Sequence, residues 1–258
     1  MQNIDKQVNL ILNGPSFKSE EIVNKELDCF AVNQFAIHEI YQQLKPNNYL
    51  FCDSFYWKTN VSEFYKSRRK AAFNALSQKT SWEMSLWIPD DCSNIEIFNE
   101  NIKNSKIKIC KYKSNTSILI PYGLLRRIRF LIDFLWSKSL VAPPPINVIF
   151  PALYLCKILN YRTIFLYGAD QDYFKGYKVD KTNVLYRETN YHNEVLQKKI
   201  FAEKMDINPS NIGDELIKHG EIFKLIDKYN EALKRSGVEV VNMNEFSMID
   251  SIKKFKGD

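Results

Sequence analysis

Leu10-Ile11-Leu12-Asn13-Gly14-Pro15-Ser16 is the stretch on which the fold turns. An apolar run over residues 8–12 breaks abruptly into a polar turn. The run reads as a buried strand, and Asn13-Gly14-Pro15-Ser16 as the turn that ends it. Ser16 is placed to cap a short helix, with Glu20 and Glu21 in its first turns. A buried strand that passes through a tight turn into a helix is half of a βα unit.

Working outward, the same punctuation recurs. Residues 29–32 read as a second strand ending at Asn33, and residues 49–52 as a third ending at Asp53 and Ser54. Residues 85–88 and 107–112 are weaker strand candidates. Residues 149–159 form a helix-length apolar run, and residues 163–167 a strand ending at Gly168. Ile212, Leu216, Phe223, Ile226 and Leu233 recur at helical spacing over 212–235. Gly237 stops that helix, and residues 239–241 read as a last strand. Alternating strands and helices predict an α/β, Rossmann-like fold in one domain spanning 1–258. Its sheet is mostly parallel, with helices on both faces. Two segments depart from the pattern: a basic stretch over 103–145, and a polar stretch rich in Tyr and Asn over 171–211, which reads as a lid.

Ligands of such sheets bind at the carboxyl ends of the strands. The informative residues are therefore the polar ones just after each strand: Asn13, Gly14, Ser16, Asn33, Asp53, Ser54, Gly168, Asp170 and Asp172. Gly14 lets the backbone approach a ligand closely, and a helix opening at Ser16 would offer N–H groups to a phosphate. A plain turn fits the same tetrapeptide. The stretch is neither GxGxxG nor a Walker loop, so dinucleotide and ATP readings gain little.

The chain has 258 residues, 45% hydrophobic and 26% charged, an ordinary globular composition. Its net charge of +6 is unevenly spread. Between Lys103 and Lys138 nine basic residues face a lone acid, Asp133, a local +8 that leaves about −2 for the rest. Within it, residues 118–138 combine arginines, aromatics and Leu/Ile at helical spacing, the composition of an interfacial helix on anionic lipid. A core helix with snorkelling arginines, or a homo-oligomer contact, fits the same pattern. No nucleic-acid recognition module accompanies the charge. The five cysteines are scattered without metal-ligand spacing and read as buried free thiols of a reducing compartment. The N-terminus lacks a signal-like apolar core, and no apolar stretch is long enough to span a bilayer. The expected location is cytoplasmic, with peripheral contact at the inner face of the membrane through about 118–138.

Leu10-Ile11-Leu12-Asn13-Gly14-Pro15-Ser16, Ala31-Val32-Asn33-Gln34-Phe35 and Leu166-Tyr167-Gly168-Ala169-Asp170 resemble, in that order, the strand-end motifs of bacterial lipooligosaccharide sialyltransferases. The C-terminal Val241-Asn242-Met243-Asn244 and Ser247-Met248-Ile249-Asp250 are similar to the tail of related proteins. The resemblance covers about half the chain. It implies a CMP-activated ketosugar donor, a surface glycan or lipid-linked acceptor, inversion at the anomeric carbon, and no cofactor or metal. By position, Asn13 and Ser16 would meet the nucleotide phosphate and ribose, with the Gly14 backbone alongside. Asn33 would contact the cytosine or ribose, and Gly168 and Asp170 would line the ribose and base. The family's base is a lid histidine. Of the three histidines, His192 lies in the lid and is the candidate base, while His38 and His219 read as structural or solvent-exposed. Tyr173 and Tyr177 stand nearest to the lid tyrosines that stabilise the leaving phosphate.

The chain departs from that family at two places. Pro143-Pro144-Pro145-Ile146-Asn147-Val148 replaces a polar Arg/Thr/Ser segment, so that Asn147 alone could supply the contact. Asp53 stands where the family holds the sugar carboxylate with an asparagine, and two carboxylates repel. The donor could then be a different sugar, or Ser54 and Asn147 take over. Asp170-Gln171-Asp172 also spells a DxD triplet, which in other glycosyltransferases holds a divalent metal on a UDP- or GDP-sugar. The alternatives are thus a metal-dependent transferase through Asp170 and Asp172, and a non-catalytic nucleotide- or lipid-binding protein.

Overall fold

The computed structural model describes residues 6–18, 22, 24–114, 129–189, 197–200 and 211–256. The strands, in chain order, are β1 (Gln7–Ile11), β2 (Asp28–Val32), β3 (Asn48–Leu50), β4 (Met84–Pro89), β5 (Ile107–Tyr112), β6 (Thr163–Tyr167), β7 (Tyr177–Val179), β8 (Leu185–Thr189), β9 (Gln197–Ile200) and β10 (Glu239–Asn242). The helices are α1 (Tyr41–Leu44), α2 (Glu63–Lys79), α3 (Glu96–Asn101), α4 (Arg129–Ser137), α5 (Ile149–Ile158) and α6 (Ile212–Arg235).

Seven strands form one parallel sheet in the order β10-β6-β1-β2-β3-β4-β5. The α/β, Rossmann-like expectation holds. The chain winds outward from β1 to β5, then returns to the other side of β1 for β6 and β10. The β1–β6 seam is therefore the topological switch point, where open α/β sheets bind ligands. Register aligns the strand ends there. Ile11 is level with Ala31 of β2 and with Tyr167 of β6, and Val32 is level with Leu50 of β3. Asn13, Asn33, Asp53 and Gly168 thus emerge on one edge.

Successive side chains alternate between two cores, as a sheet buried on both faces requires. Leu10, Phe30, Val32 and Leu166 point to the face covered by α4, α5 and α6. Ile11, Ala31, Tyr49 and Tyr167 point to the face holding Phe73 and Leu76 of α2 and Phe98 of α3. Leu10 is fully buried, and truncating such a residue to Ala costs about 2–5 kcal/mol. Helix α5 buries eight of its ten residues, which is why it reads as an uninterrupted apolar run. Helix α2 escapes the sequence pattern because it buries only Ala72, Phe73, Ala75 and Leu76 among 17 residues.

One local expectation fails. Among the described residues no helix opens at Ser16, because Phe17 and Lys18 leave the turn in irregular backbone. Ser16 does not act as a cap: its hydroxyl accepts from Asn244 Nδ2 at 2.7 Å, and its N–H points to Asp170 Oδ2 at 3.4 Å.

The basic stretch is not one unit. It contains the edge strand β5 and helix α4, while residues 115–128 lie outside the described residues. Ile132 and Trp136 of α4 are in the core. Asp133, the one acid of the stretch, is buried toward Lys228 and Arg235 of α6 at 4.0 and 3.4 Å. The inner face of α4 is thus a core helix. Its outer face leaves Leu131 54% and Phe134 48% exposed. Among the described residues no helix is long and apolar enough to cross a membrane. All five cysteines are free, but only Cys29 and Cys156 are fully enclosed, and burial pushes both thiols well up.

Candidate functional site

A cleft of about 200 Å³ opens at the switch point. It is lined by Asn13 and Gly14 after β1, Asn33 after β2, Asp53 after β3, Gly168 to Gln171 and Tyr173 after β6, and Ile146 to Val148 before α5. Eight of the residues expected from the sequence meet there: Asn13, Gly14, Asn33, Asp53, Asn147, Gly168, Asp170 and Tyr173. Ser16, Ser54, Asp172 and Tyr177 do not line it, and His192 lies outside the described residues.

The β1 and β6 turns are pressed together. The Gly14 N–H donates to the Gly168 carbonyl at 2.9 Å. A Cβ on Gly14 would lie 1.8 Å from Asp170 Oδ2 and 2.3 Å from the Gly168 carbonyl oxygen. Gly168 has φ +62°, a region a side chain rarely adopts, and its own Cβ would meet Leu12 O at 2.7 Å. The two glycines therefore serve the approach of one strand end to another before they serve a ligand.

Asp170 is 7% exposed. Its Oδ1 accepts from Asn244 Nδ2 at 2.7 Å and its Oδ2 faces the Ser16 N–H. Ser247 Oγ donates to the Ala169 carbonyl at 2.6 Å, and Met248 N–H to the Asp170 carbonyl at 2.9 Å. The C-terminal segment thus pins the β6 turn from below. Asp172 instead sits 3.9 Å from Lys175 at the surface. Among the described residues no group of three or more His, Cys, Asp and Glu side chains could hold a metal ion.

The β2–β3 side differs. Asn33 takes φ +50°, and its Oδ1 accepts from Cys52 N–H at 3.3 Å while its Nδ2 donates to Asp53 Oδ2 at 3.1 Å. Asp53 is exposed to the cleft. Asn147 Oδ1 accepts from Ile149 N–H at 3.0 Å at the start of α5. The helix N-terminus that faces the cleft is therefore that of α5, not one opening at Ser16. Asn13 Oδ1 is buried at the cleft without a hydrogen-bond partner among the described residues.

Behind Tyr173 lies a second polar cluster. Glu215, His219 and Phe223 share one face of α6 through i, i+4 spacing. That face meets a 3₁₀ turn, Tyr173–Gly176, and strand β7. The Tyr173 ring stacks on His219 with centroids 6.1 Å apart, and Phe174 meets Phe223 edge-on. The Tyr177 hydroxyl donates to Glu215 Oε2 at 3.0 Å and contacts His219 Nε2 at 2.7 Å. Arg187 of β8 lies 5.0 Å over the Tyr173 ring. Burial and the Glu215 contact push the Tyr177 hydroxyl well up, so it stays protonated. Burial, then the nearby Arg187, pulls His219 below its ordinary value and keeps the ring neutral at pH 7. His219 is thus half-buried against Tyr173 and Tyr177 rather than solvent-exposed. The sequence signal that could have found it is the i, i+4 spacing from Glu215.

His38 caps a 3₁₀ turn and stacks on Phe35 with centroids 5.6 Å apart. Both line a smaller hollow of about 100 Å³ on the far side of the Asn13–Gly14 turn.

No family model matches the chain, and no curated protein matches it in sequence. A solved structure similar to it is an α-2,3-sialyltransferase from Campylobacter jejuni in apo form. The identity is 14%, over 98% of this chain and 80% of that one, with a TM-score of 0.40.

Proposed function

We propose that the chain is an inverting glycosyltransferase that takes a sugar from a CMP-activated donor to a glycan or lipid-linked acceptor. The observation that carries the reading is the amide-lined cleft at the switch point, with the buried Asn13 Oδ1 left without a partner. A buried acceptor of this kind calls for a ligand donor such as a ribose hydroxyl. Asn33, Asn147 and Asp53 add groups suited to hydroxyls and a base edge, and the start of α5 favours a phosphate. The motif resemblance adds the donor class.

In the proposed reaction an acceptor hydroxyl oxygen attacks the anomeric carbon. A new C–O bond forms, the sugar–phosphate C–O bond breaks, and its electron pair leaves with CMP. The hydroxyl proton passes to a histidine, which the motif resemblance assigns to His192. Tyr173, at the cleft wall, is the hydroxyl proposed to donate to the leaving phosphate.

The metal-dependent reading has less support. Both Asp170 oxygens already face N–H donors, and Asp172 does not line the cleft. Asp53 weighs on the choice of sugar, because an exposed carboxylate in the cleft disfavours a ketosugar carboxylate beside it. Peripheral membrane contact through about 118–138 is supported by Leu131, Phe134 and Leu140, exposed around the end of α4 beside Lys138. Pelleting with anionic vesicles tests it, and equal recovery with neutral vesicles would remove it.

The decisive experiment is a thermal-shift screen of CMP, UDP and GDP, each with and without magnesium. A ligand that binds the folded state raises its melting temperature. CMP alone is expected to do so. A shift confined to UDP or GDP with magnesium would replace the CMP reading, and no shift by any nucleotide would remove the transferase reading.

A further inference from the structure

We propose that Glu215, acting through Tyr177, holds His219 as the Nε2–H tautomer and so makes Nδ1 the ring nitrogen that takes a proton. The inference rests on the transfer reading for its proton source, the acceptor hydroxyl, but its geometry belongs to the lid cluster alone. No motif marks these residues. They converge from β7, β8 and α6.

The assignment follows from counting protons. A tyrosine hydroxyl has one proton to give and two lone pairs. Glu215 Oε2, at 3.0 Å, receives that proton. His219 Nε2, at 2.7 Å from the same oxygen, must then be the donor in its contact. A neutral imidazole carries one N–H, so the lone pair is on Nδ1. Glu215 is 8% exposed and is itself met by Lys218 Nζ at 2.8 Å. Its carboxylate is held in place rather than free to turn to water. On transfer, Nδ1 gains the acceptor's proton and the imidazolium keeps its Nε2–H on Tyr177. The Glu215 charge, one hydroxyl away, stabilises the cation. His219 is the proton acceptor in this scheme, and Glu215 is a positioning residue. Ring stacking by Tyr173, a residue of the cleft wall, puts His219 one aromatic layer behind the donor cleft.

The test is a long-range ¹⁵N–¹H spectrum of the histidine rings in the free, full-length protein at neutral pH, with His219→Ala to assign the signals. The expected native pattern is a protonated Nε2 and an unprotonated Nδ1. Glu215→Leu removes the acceptor, releases the Tyr177 proton toward Nε2, and shifts His219 toward the Nδ1–H form. Glu215→Gln keeps a carbonyl oxygen at the same place and retains the native tautomer. A native Nδ1–H form, or an unchanged tautomer in folded Glu215→Leu, overturns the proposal. Should Glu215→Leu not fold, Tyr177→Phe decides: a mixed tautomer supports it and an unchanged one overturns it. In a transfer assay Glu215→Leu is expected to lower kcat roughly tenfold or more with donor KM unchanged, and Glu215→Gln to recover most of it. The ring spectra are read without donor, so they stand or fall separately from the CMP-sugar reading.

Discussion

On the β1–β6 side of the cleft, the polar groups turn toward one another: Gly14 to Gly168, Ser16 and Asn244 to Asp170, Ser247 to Ala169. On the β3–α5 side, Asp53 accepts from Asn33, Asn147 accepts from the Ile149 N–H, and both residues line the cleft. Both sides carry Asn, Asp and Gly or Ser after a strand, and the sequence alone makes them look alike. The difference is what lies beneath. The C-terminal segment 242–250 packs under the β6 turn and converts its polar groups into braces, whereas the β3 end has solvent on its outer side. In the proposed transferase the first half would serve mainly as scaffold and the second as recognition surface.

If that division is right, the largest effect belongs to Gly14→Ala. The added methyl would have to displace a buried carboxylate and a backbone carbonyl, neither of which is the loose end of a flexible side chain. The expected cost is on the order of 3 kcal/mol, at the upper end for overpacking, read as a lower denaturation midpoint. A midpoint equal to that of the parent would show that the two turns are not locked. Next comes Asn244→Ala. It strips Asp170 and Ser16 of their shared donor and should cost about 1–3 kcal/mol by chemical denaturation. A loss of nucleotide binding without loss of stability would move Asn244 from scaffold to recognition surface.

The histidines sharpen the comparison from the lid side. His219→Ala is expected to lower transfer about 100-fold, the ordinary size of a general-base effect, and by more than His192→Ala. The reverse ordering would return the base to His192. The pH profile carries the same sign. Burial and then Arg187 lower the His219 value, Glu215 offsets part of this, Lys218 lowers it slightly further, and Tyr173 and Tyr177 face it as neutral rings. Its base form therefore persists below the ordinary histidine value, near 6.5. Transfer should be flat through neutral pH and fall on the acid side only below about pH 6.5. An acid limb centred above pH 7 would exclude His219 in this environment.

How legible the molecule was in its sequence depended on period and punctuation. Strands such as Thr163–Tyr167 and the helix Ile212–Arg235 stood out because their apolar spacing is strong and their ends are marked by Gly168 and Gly237. The residues after them were legible as site candidates because a parallel sheet brings strand ends to one edge. The 3₁₀ turn at Tyr173 and strand β7 were not, since neither fully buries a side chain. Asn244 was visible only as part of a tail motif, and its role depends on a contact 74 residues from Asp170. His219 reads as exposed in the sequence because a helix of 24 residues has a polar face, whereas in the fold Tyr173 and Tyr177 pack over that part of it. Helix propensity says nothing about what covers a helix.

The smallest expected effect on stability belongs to Asp53→Asn, and it probes the recognition half most directly. The carboxylate is exposed, and the contact from Asn33 Nδ2 can be kept by an asparagine carbonyl oxygen. Stability should change by no more than about 0.5 kcal/mol. Binding should not stay the same. Removing one negative charge from a cleft that is proposed to hold a phosphate relieves about 1 kcal/mol of repulsion at intermediate dielectric, roughly fivefold tighter CMP at low salt. The gain should shrink as salt screens it. A donor bearing a carboxylate should gain more than a neutral one, because it brings a second negative charge to the same wall. If Asp53→Asn weakens CMP instead, the carboxylate is receiving a hydroxyl of the ligand. Its unfavourable charge is then the cost of a hydrogen bond that the asparagine cannot match.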